Sequence, residues 1–162
     1  MTKVVKSSEM NEIISTIKNG KVVAFPTETV YGLGVKFGSV EALDLLMEAK
    51  NREYSKAITL MVANKQEIEN YAYVSHDAKK IISRFMPGML TLVFKKKENV
   101  DSKMTNGKET IGIRIPDNDF VLSLLKEAGP MLVTSANLSN HPNTTSTKEV
   151  VLGWFDKFAL VT

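Results

Sequence analysis

Lys21-Val22-Val23-Ala24-Phe25-Pro26-Thr27-Glu28-Thr29-Val30-Tyr31-Gly32-Leu33-Gly34 is the stretch on which the fold turns. Val22 to Phe25 is a continuous apolar run and does not alternate, which suits a strand covered on both faces, and Pro26 ends it. Hydroxyls and one carboxylate follow at once, at the position where open α/β sheets place ligands. Gly32 and Gly34 are expected to let the backbone approach a ligand closely or to take positive φ. Threonine-rich strand ends also occur simply as turns, so the residue types here leave both readings open.

Working outward, Met10, Ile13, Ile14 and Ile17 share one face of a helix framed by Ser8 as N-cap and Gly20 as stop. Downstream, Val40, Leu43, Leu46 and Met47 repeat at helical spacing from Ser39, and Ile58 to Val62 reads as the next strand. Ile81, Ile82 and Phe85 mark another helix, Pro87-Gly88 a turn, Leu90 to Phe94 a strand, and Asn99 to Glu109 a polar, mobile loop. Ile111 to Ile115 is apolar apart from Gly112 and Arg114, and Pro116 stops it. Asp117 or Asn118 caps a helix carrying Phe120, Val121, Leu124 and Leu125, which Gly129-Pro130 closes. Met131 to Val133 returns as a strand into Thr134-Ser135-Ala136-Asn137, and Phe158 to Val161 adds one more. The expected architecture is one α/β domain over residues 1–162, an open twisted mixed sheet flanked by helices, with no strand order specified.

With 162 residues and 43% hydrophobic content the chain suits one packed core. It has no cysteine and two histidines, His76 and His141, which leaves no disulfide framework and no thiolate or His-rich metal site; no metal-ligating set is expected. No apolar run approaches the roughly 20 residues that span a bilayer, and no apolar segment follows the N-terminal lysines. The expectation is a soluble, unprocessed, cytoplasmic protein without membrane contact. A net charge of +3 favours anionic ligands without naming them. The Lys95–Lys97 run reads as the solvated end of an edge strand.

Lys50-Asn51-Arg52, with Lys56 close behind, gathers cations at a helix end, where they complement the macrodipole or meet phosphates. Arg114, a charge inside an apolar strand, requires solvent, a partner or a ligand, and a ligand is the favoured reading. Thr134 to Ser139 offers hydroxyls, an amide and free backbone N–H groups where the chain leaves the sheet, which can cradle phosphate or cap a helix. No Ser/His/Asp or Cys/His set, Walker lysine loop or zinc spacing occurs, so covalent catalysis is not the natural reading.

Taken in order, these segments resemble the YrdC/TsaC family of threonylcarbamoyl-AMP synthases. Lys21 to Gly34 is similar to its Pro-Thr-Glu-Thr-Val-Tyr-Gly-Leu-Gly signature, Lys50-Asn51-Arg52 to its Lys-x-Arg motif, and Pro87 to Leu92 to its Pro-Gly-x-x-Thr-Leu turn. Gly112 to Pro116 is similar to its arginine-bearing strand and Ser135 to Ser139 to its Ser-Ala-Asn-x-Ser loop, so that the resemblance spans about residues 10 to 150. It departs at Asn140, where the family usually carries glycine, and at Met61, where related synthases can carry a histidine.

The resemblance implies an open α/β fold with an electropositive hollow and the joining of L-threonine, bicarbonate and ATP into threonylcarbamoyl-AMP and pyrophosphate, for tRNA modification. ATP would be a substrate, with Mg²⁺, and tRNA or tRNA-modification proteins compatible partners. Carried over by motif, Lys50 and Arg52 are the catalytic pair, and Thr29, Arg114 and Thr134 hold threonine. Lys50, Arg52, Lys56, Thr110, Ser135, Ala136, Asn137 and Thr144 hold ATP. The competing readings are a non-catalytic paralogue that binds tRNA or double-stranded RNA in the same hollow and one that senses nucleotide.

Overall fold

The computed structural model describes residues 2–50, 58–137, 143–146, 148–150 and 160–162. The strands are β1 (Lys3–Val4), β2 (Val23–Phe25), β3 (Gly32–Lys36), β4 (Thr59–Met61), β5 (Leu92–Lys95), β6 (Thr110–Arg114), β7 (Met131–Ser135) and β8 (Leu160–Val161). They form one mixed sheet of order β1-β8-β2-β3-β7-β4-β6-β5. β2 lies between β8 and β3 and all three of its residues are buried, as its unbroken apolar run requires.

Each sheet face carries its own core. The helices α1 (Met10–Lys18) and α5 (Asp119–Ala128) pack Ile13, Ile17, Val121, Leu124 and Leu125 against Val23, Phe25, Met61, Met131 and Val133. On the opposite face α2 (Val40–Lys50), α3 (Lys65–Tyr71) and α4 (His76–Phe85) pack against Leu33, Val35, Leu60, Ile113 and Leu132. None of the helices in the described residues is long and apolar enough to cross a membrane.

Local chemistry explains most boundaries. Ser39 Oγ accepts from the Ala42 amide at 3.2 Å and Asn118 Oδ1 from the Val121 amide at 3.1 Å, so both expected caps form, with Asn118 taking the place open to it or Asp117. Ser8 does not cap α1. That helix begins one residue later, after Glu9, whose carboxylate instead accepts from the Lys6 amide at 2.7 Å. Gly20 and Gly129 end their helices at φ +73° and +89°, where a Cβ is costly.

Two expectations change, and two elements form that no periodicity marks. Gly32 and Gly34 belong to strand β3 and do not take the positive φ open to them; at Gly34 the lack of a side chain serves packing. A Cβ on Gly34 would stand 2.5 Å from Met131 Cε and 2.7 Å from Phe25 Cε1. The polar stretch from Asn99 to Glu109 contains a 3₁₀ turn, Ser102–Thr105, that sends Met104 into the core. Strand β3 itself and helix α3 carry no strong apolar period, yet Asn64 and Glu67 frame α3 reciprocally: the Glu67 amide bonds Asn64 Oδ1 at 3.0 Å and the Ala63 amide bonds Glu67 Oε2 at 3.3 Å.

The Lys95–Lys97 run is not the solvated edge expected: Ala72 bridges Lys96, the Lys97 amide bonds the Tyr71 carbonyl, and only Lys95 of the three is exposed. Lys96 Nζ donates to the Val100 carbonyl at 3.0 Å and Lys97 Nζ to the Glu69 carbonyl at 2.5 Å, while the Tyr73 amide covers the Lys95 carbonyl.

Candidate active site

Register places the site. Thr59 pairs with Val133 on one side and Gly112 on the other, and Met61 pairs with Met131 and Arg114. Paired residues point to the same side, so Thr59, Met61, Val133 and Arg114 share the α1/α5 face of the sheet. Beyond the cover of those helices this face opens into a hollow of about 280 Å³. Thr59, Met61 and Val133 line it, as do Thr91, Arg114, Thr134 and Ser135 and the loop residues Thr27, Thr29, Val30, Tyr31 and Gly32.

The hollow is not built from the ends of strands that leave the sheet on one side. β7 runs parallel to β2, because each is antiparallel to β3, so Pro26 and Thr134 do meet at one end of the sheet. β6 is parallel to β4 and β4 antiparallel to β7, so Pro116 leaves at the far end. Arg114 joins the other groups because the loop after β2 reaches across the face. Glu28 Oε1 there accepts from Arg114 Nη2 at 2.5 Å and from the Asp117 amide at 3.1 Å. Thr27 Oγ1 holds the loop's shape, taking the Thr29 and Val30 amides at 3.2 and 3.3 Å and donating to the Val30 carbonyl at 2.6 Å.

Electrostatics here centre on the Glu28–Arg114 pair, whose side chains are 16% and 13% exposed. Burial pushes the Glu28 carboxyl up, but the Arg114 guanidinium and the Asp117 amide outweigh it and hold the group below its ordinary range. Glu28 therefore stays ionised opposite the guanidinium.

The rim is tied together through backbone. The Ala136 amide donates to the Tyr31 carbonyl at 2.7 Å and the Tyr31 amide to the Thr144 carbonyl at 3.0 Å. Thr144 Oγ1 bonds the Ala136 carbonyl and Ser135 Oγ bonds Asn137 Oδ1. Lys50, only 1% exposed, lies beneath this rim and is absent from the lining: its Nζ donates to the Ser135 carbonyl at 2.5 Å and to Thr134 Oγ1 at 3.3 Å.

Of the residues expected at the site, Thr29, Arg114, Thr134 and Ser135 come together in the hollow, and Ala136, Asn137 and Thr144 form the adjoining rim. Thr110 stands apart from the hollow. It lies on the same side of β6 as Arg114, exposed and paired with Lys95, about 13 Å along the strand at roughly 3.3 Å per residue. Arg52 and Lys56 lie outside the described residues. Thr59 and Val133 are lining residues outside every motif, and Thr91, the threonine of the Pro-Gly-x-x-Thr-Leu turn, lines the hollow although the motif assigned it no role; the two-residue step from Thr59 to Met61 is the signal that places both on one face.

Comparison with known proteins gives the chain's relatives. The family model Sua5_yciO_yrdC, described as telomere recombination, matches residues 15–161. A putative threonylcarbamoyl-AMP synthase of Methanocaldococcus jannaschii is 37% identical over 157 residues, covering 91% of this chain and 74% of its own length. The threonylcarbamoyl-AMP synthase of Bacillus subtilis is 35% identical over 145 residues, covering 88% of this chain and 42% of its own. P. abyssi Sua5, solved in complex with L-threonine, superposes with a TM-score of 0.91 at 32% identity, over 99% of this chain and 48% of that one. The chain thus spans less than half the length of the last two proteins. Sequence match and sheet architecture lead to one conclusion: this chain belongs to the Sua5/YciO/YrdC family.

Proposed function

We propose that the chain is an L-threonylcarbamoyladenylate synthase, a nucleotidyltransferase that converts L-threonine, bicarbonate and ATP into threonylcarbamoyl-AMP and pyrophosphate for the modification of tRNA. The observation that carries this reading is the meeting of Thr29, Arg114, Thr134 and Ser135 in one hollow across the sheet face. The relatives named for this activity, and the threonine complex of P. abyssi Sua5, support it.

The hollow's 280 Å³ falls just below the usual range for ligand pockets, about 300–1,000 Å³, and suits a small amino acid better than a nucleotide. Arg114 would take the threonine carboxylate through the guanidinium N–H groups that Glu28 leaves free. Thr29 and Thr134 would bond the remaining polar groups, and Met61 and Val133 would receive the methyl group. The nucleotide then extends from the Thr134–Asn137 rim along the open sheet face toward Thr110. Val93, paired with Gly112, is 69% exposed on that side.

In the reaction the threonine amine bonds to the carbon of bicarbonate with loss of water, giving a carbamate. A carbamate oxygen then attacks the α-phosphorus of ATP, and the bond to pyrophosphate breaks. No protein nucleophile is needed; the chain positions the reactants and offsets charge on the phosphoryl oxygens. Arg52 and Lys56 are the proposed phosphate contacts. Lys50 would act from beneath the rim by fixing Ser135 and Thr134. Magnesium would arrive on the triphosphate, since no cluster of three acidic or histidine side chains occurs among the described residues.

The test is mass detection of threonylcarbamoyl-AMP from purified protein supplied with isotopically labelled bicarbonate. Label in the product, with pyrophosphate release that requires threonine, is expected. Tight ATP binding without that product would contradict a synthase.

A further inference from the structure

Arg114 is the single charged side chain lining the hollow among the described residues, so its immediate partner sets the field there. That partner is Glu28, bound to Arg114 Nη2 at 2.5 Å and fixed by the Asp117 amide at 3.1 Å. Glu28 does not itself line the hollow, and its Oε2, like Arg114 Nε, is buried without a hydrogen-bond partner among the described residues. Burying an ion pair with spare valences is costly, and a staple between a loop and a strand end could be made with neutral groups.

We propose that Glu28 is a positioning and specificity-setting residue: bound to Arg114, it turns the charged end of the hollow from a cation into a dipole that selects a zwitterionic amino acid over a simple carboxylate. This rests on the reading of the hollow as an amino-acid site. A lone guanidinium in a partly enclosed cavity attracts any carboxylate or phosphate, including the phosphates expected on the neighbouring rim. With Glu28 against it the net charge is zero. A monoanion then meets attraction and repulsion together, whereas a ligand carrying both carboxylate and ammonium gains at both ends. The Asp117 amide keeps the carboxylate from swinging away, and its ionised state persists through neutral pH. Discrimination is built partly from a repulsive element, aimed at ligands that lack the amine.

The experiment compares calorimetric binding of L-threonine, its deaminated analogue 3-hydroxybutanoate and its decarboxylated analogue 1-amino-2-propanol. Each is titrated into the full chain and into Glu28→Gln, with and without α,β-methylene-ATP. Glutamine keeps an acceptor for both Arg114 and the Asp117 amide. The unmodified chain is expected to prefer threonine over either analogue by at least about tenfold. In Glu28→Gln the preference over 3-hydroxybutanoate is expected to fall to within about threefold, through weaker threonine and tighter 3-hydroxybutanoate binding. A purely structural staple would weaken both ligands alike and leave their ratio unchanged, which overturns the proposal. Should Glu28→Gln not fold, the unmodified chain still decides, because equal affinity for threonine and 3-hydroxybutanoate also overturns it. Absence of threonine binding to the unmodified chain removes the amino-acid reading, and this proposal with it; threonine binding with an unchanged ratio removes the proposal alone.

Discussion

Lys50, the last residue of α2, places its Nζ 2.5 Å from the Ser135 carbonyl at the tip of β7, in a setting where Lys50 is 1% exposed. The bond ties a helix on one face of the sheet to a strand tip that lines a hollow on the other. Lys50→Met keeps the length of the side chain and removes the donor, leaving a part-buried carbonyl short of a partner. The expected cost is about 1–3 kcal/mol in urea denaturation, with weaker ATP-analogue binding as the rim loosens. Unchanged stability and affinity would show that the bond holds nothing in place.

Gly34 tests the packing under the same face. In Gly34→Ala the new methyl would fall 2.5 Å from the flexible end of Met131 and 2.7 Å from the ring of Phe25, which is fully buried. Met131 can shift, but Phe25 has nowhere to go. A loss of about 1–3 kcal/mol is expected from overpacking, read from the shift in denaturation midpoint at constant slope.

Glu28 makes stability depend on acid. Its folded-state pKa lies below the ordinary value of 4.5, so between those two values the unfolded chain binds more protons and stability rises with pH. The contribution is complete above about pH 4.5 and disappears as pH falls through the folded value. Thermal melts of the unmodified chain between pH 3 and pH 6 should therefore lose more of their midpoint on acidification than melts of Glu28→Gln. Parallel curves would mean that the ion pair is not formed in solution.

Arg114 and Thr110 separate the two halves of the proposed site. Arg114→Lys keeps a cation opposite Glu28 but loses the planar fork, so the threonine KM should rise by about tenfold while the ATP KM moves less than about twofold. Thr110→Val removes one hydroxyl on the exposed part of β6 and should do the reverse, raising the ATP KM by about threefold. Equal effects of either substitution on both substrates would argue against an amino acid and a nucleotide lying in that order along the face.

The elements that were legible from residue order are those whose physics is local. The unbroken run before Pro26, the helical period from Ser39 and the Asn118 cap each depend on neighbours in sequence, and each appears where expected. What residue order did not disclose is long-range pairing. That Gly32 and Gly34 sit in a strand without positive φ is hidden because their lack of side chains answers to Phe25, Met131 and Val133, residues across the sheet. Arg114 was identifiable as a charge needing a partner, but that the partner is Glu28 follows from a loop crossing the sheet, which no local pattern encodes. Lys50, assigned to phosphate by its motif, also bonds two acceptors beneath the rim that lie more than 80 residues away in the chain.

The most direct test of a shared hollow is a crystal structure of this chain grown with L-threonine and α,β-methylene-ATP. Threonine should lie over Thr59, Met61 and Val133 with its carboxylate about 2.7–2.9 Å from the Arg114 guanidinium, and the α-phosphate should face the Thr134–Asn137 rim. Threonine bound away from Arg114, or the nucleotide on a different face of the sheet, would contradict the account.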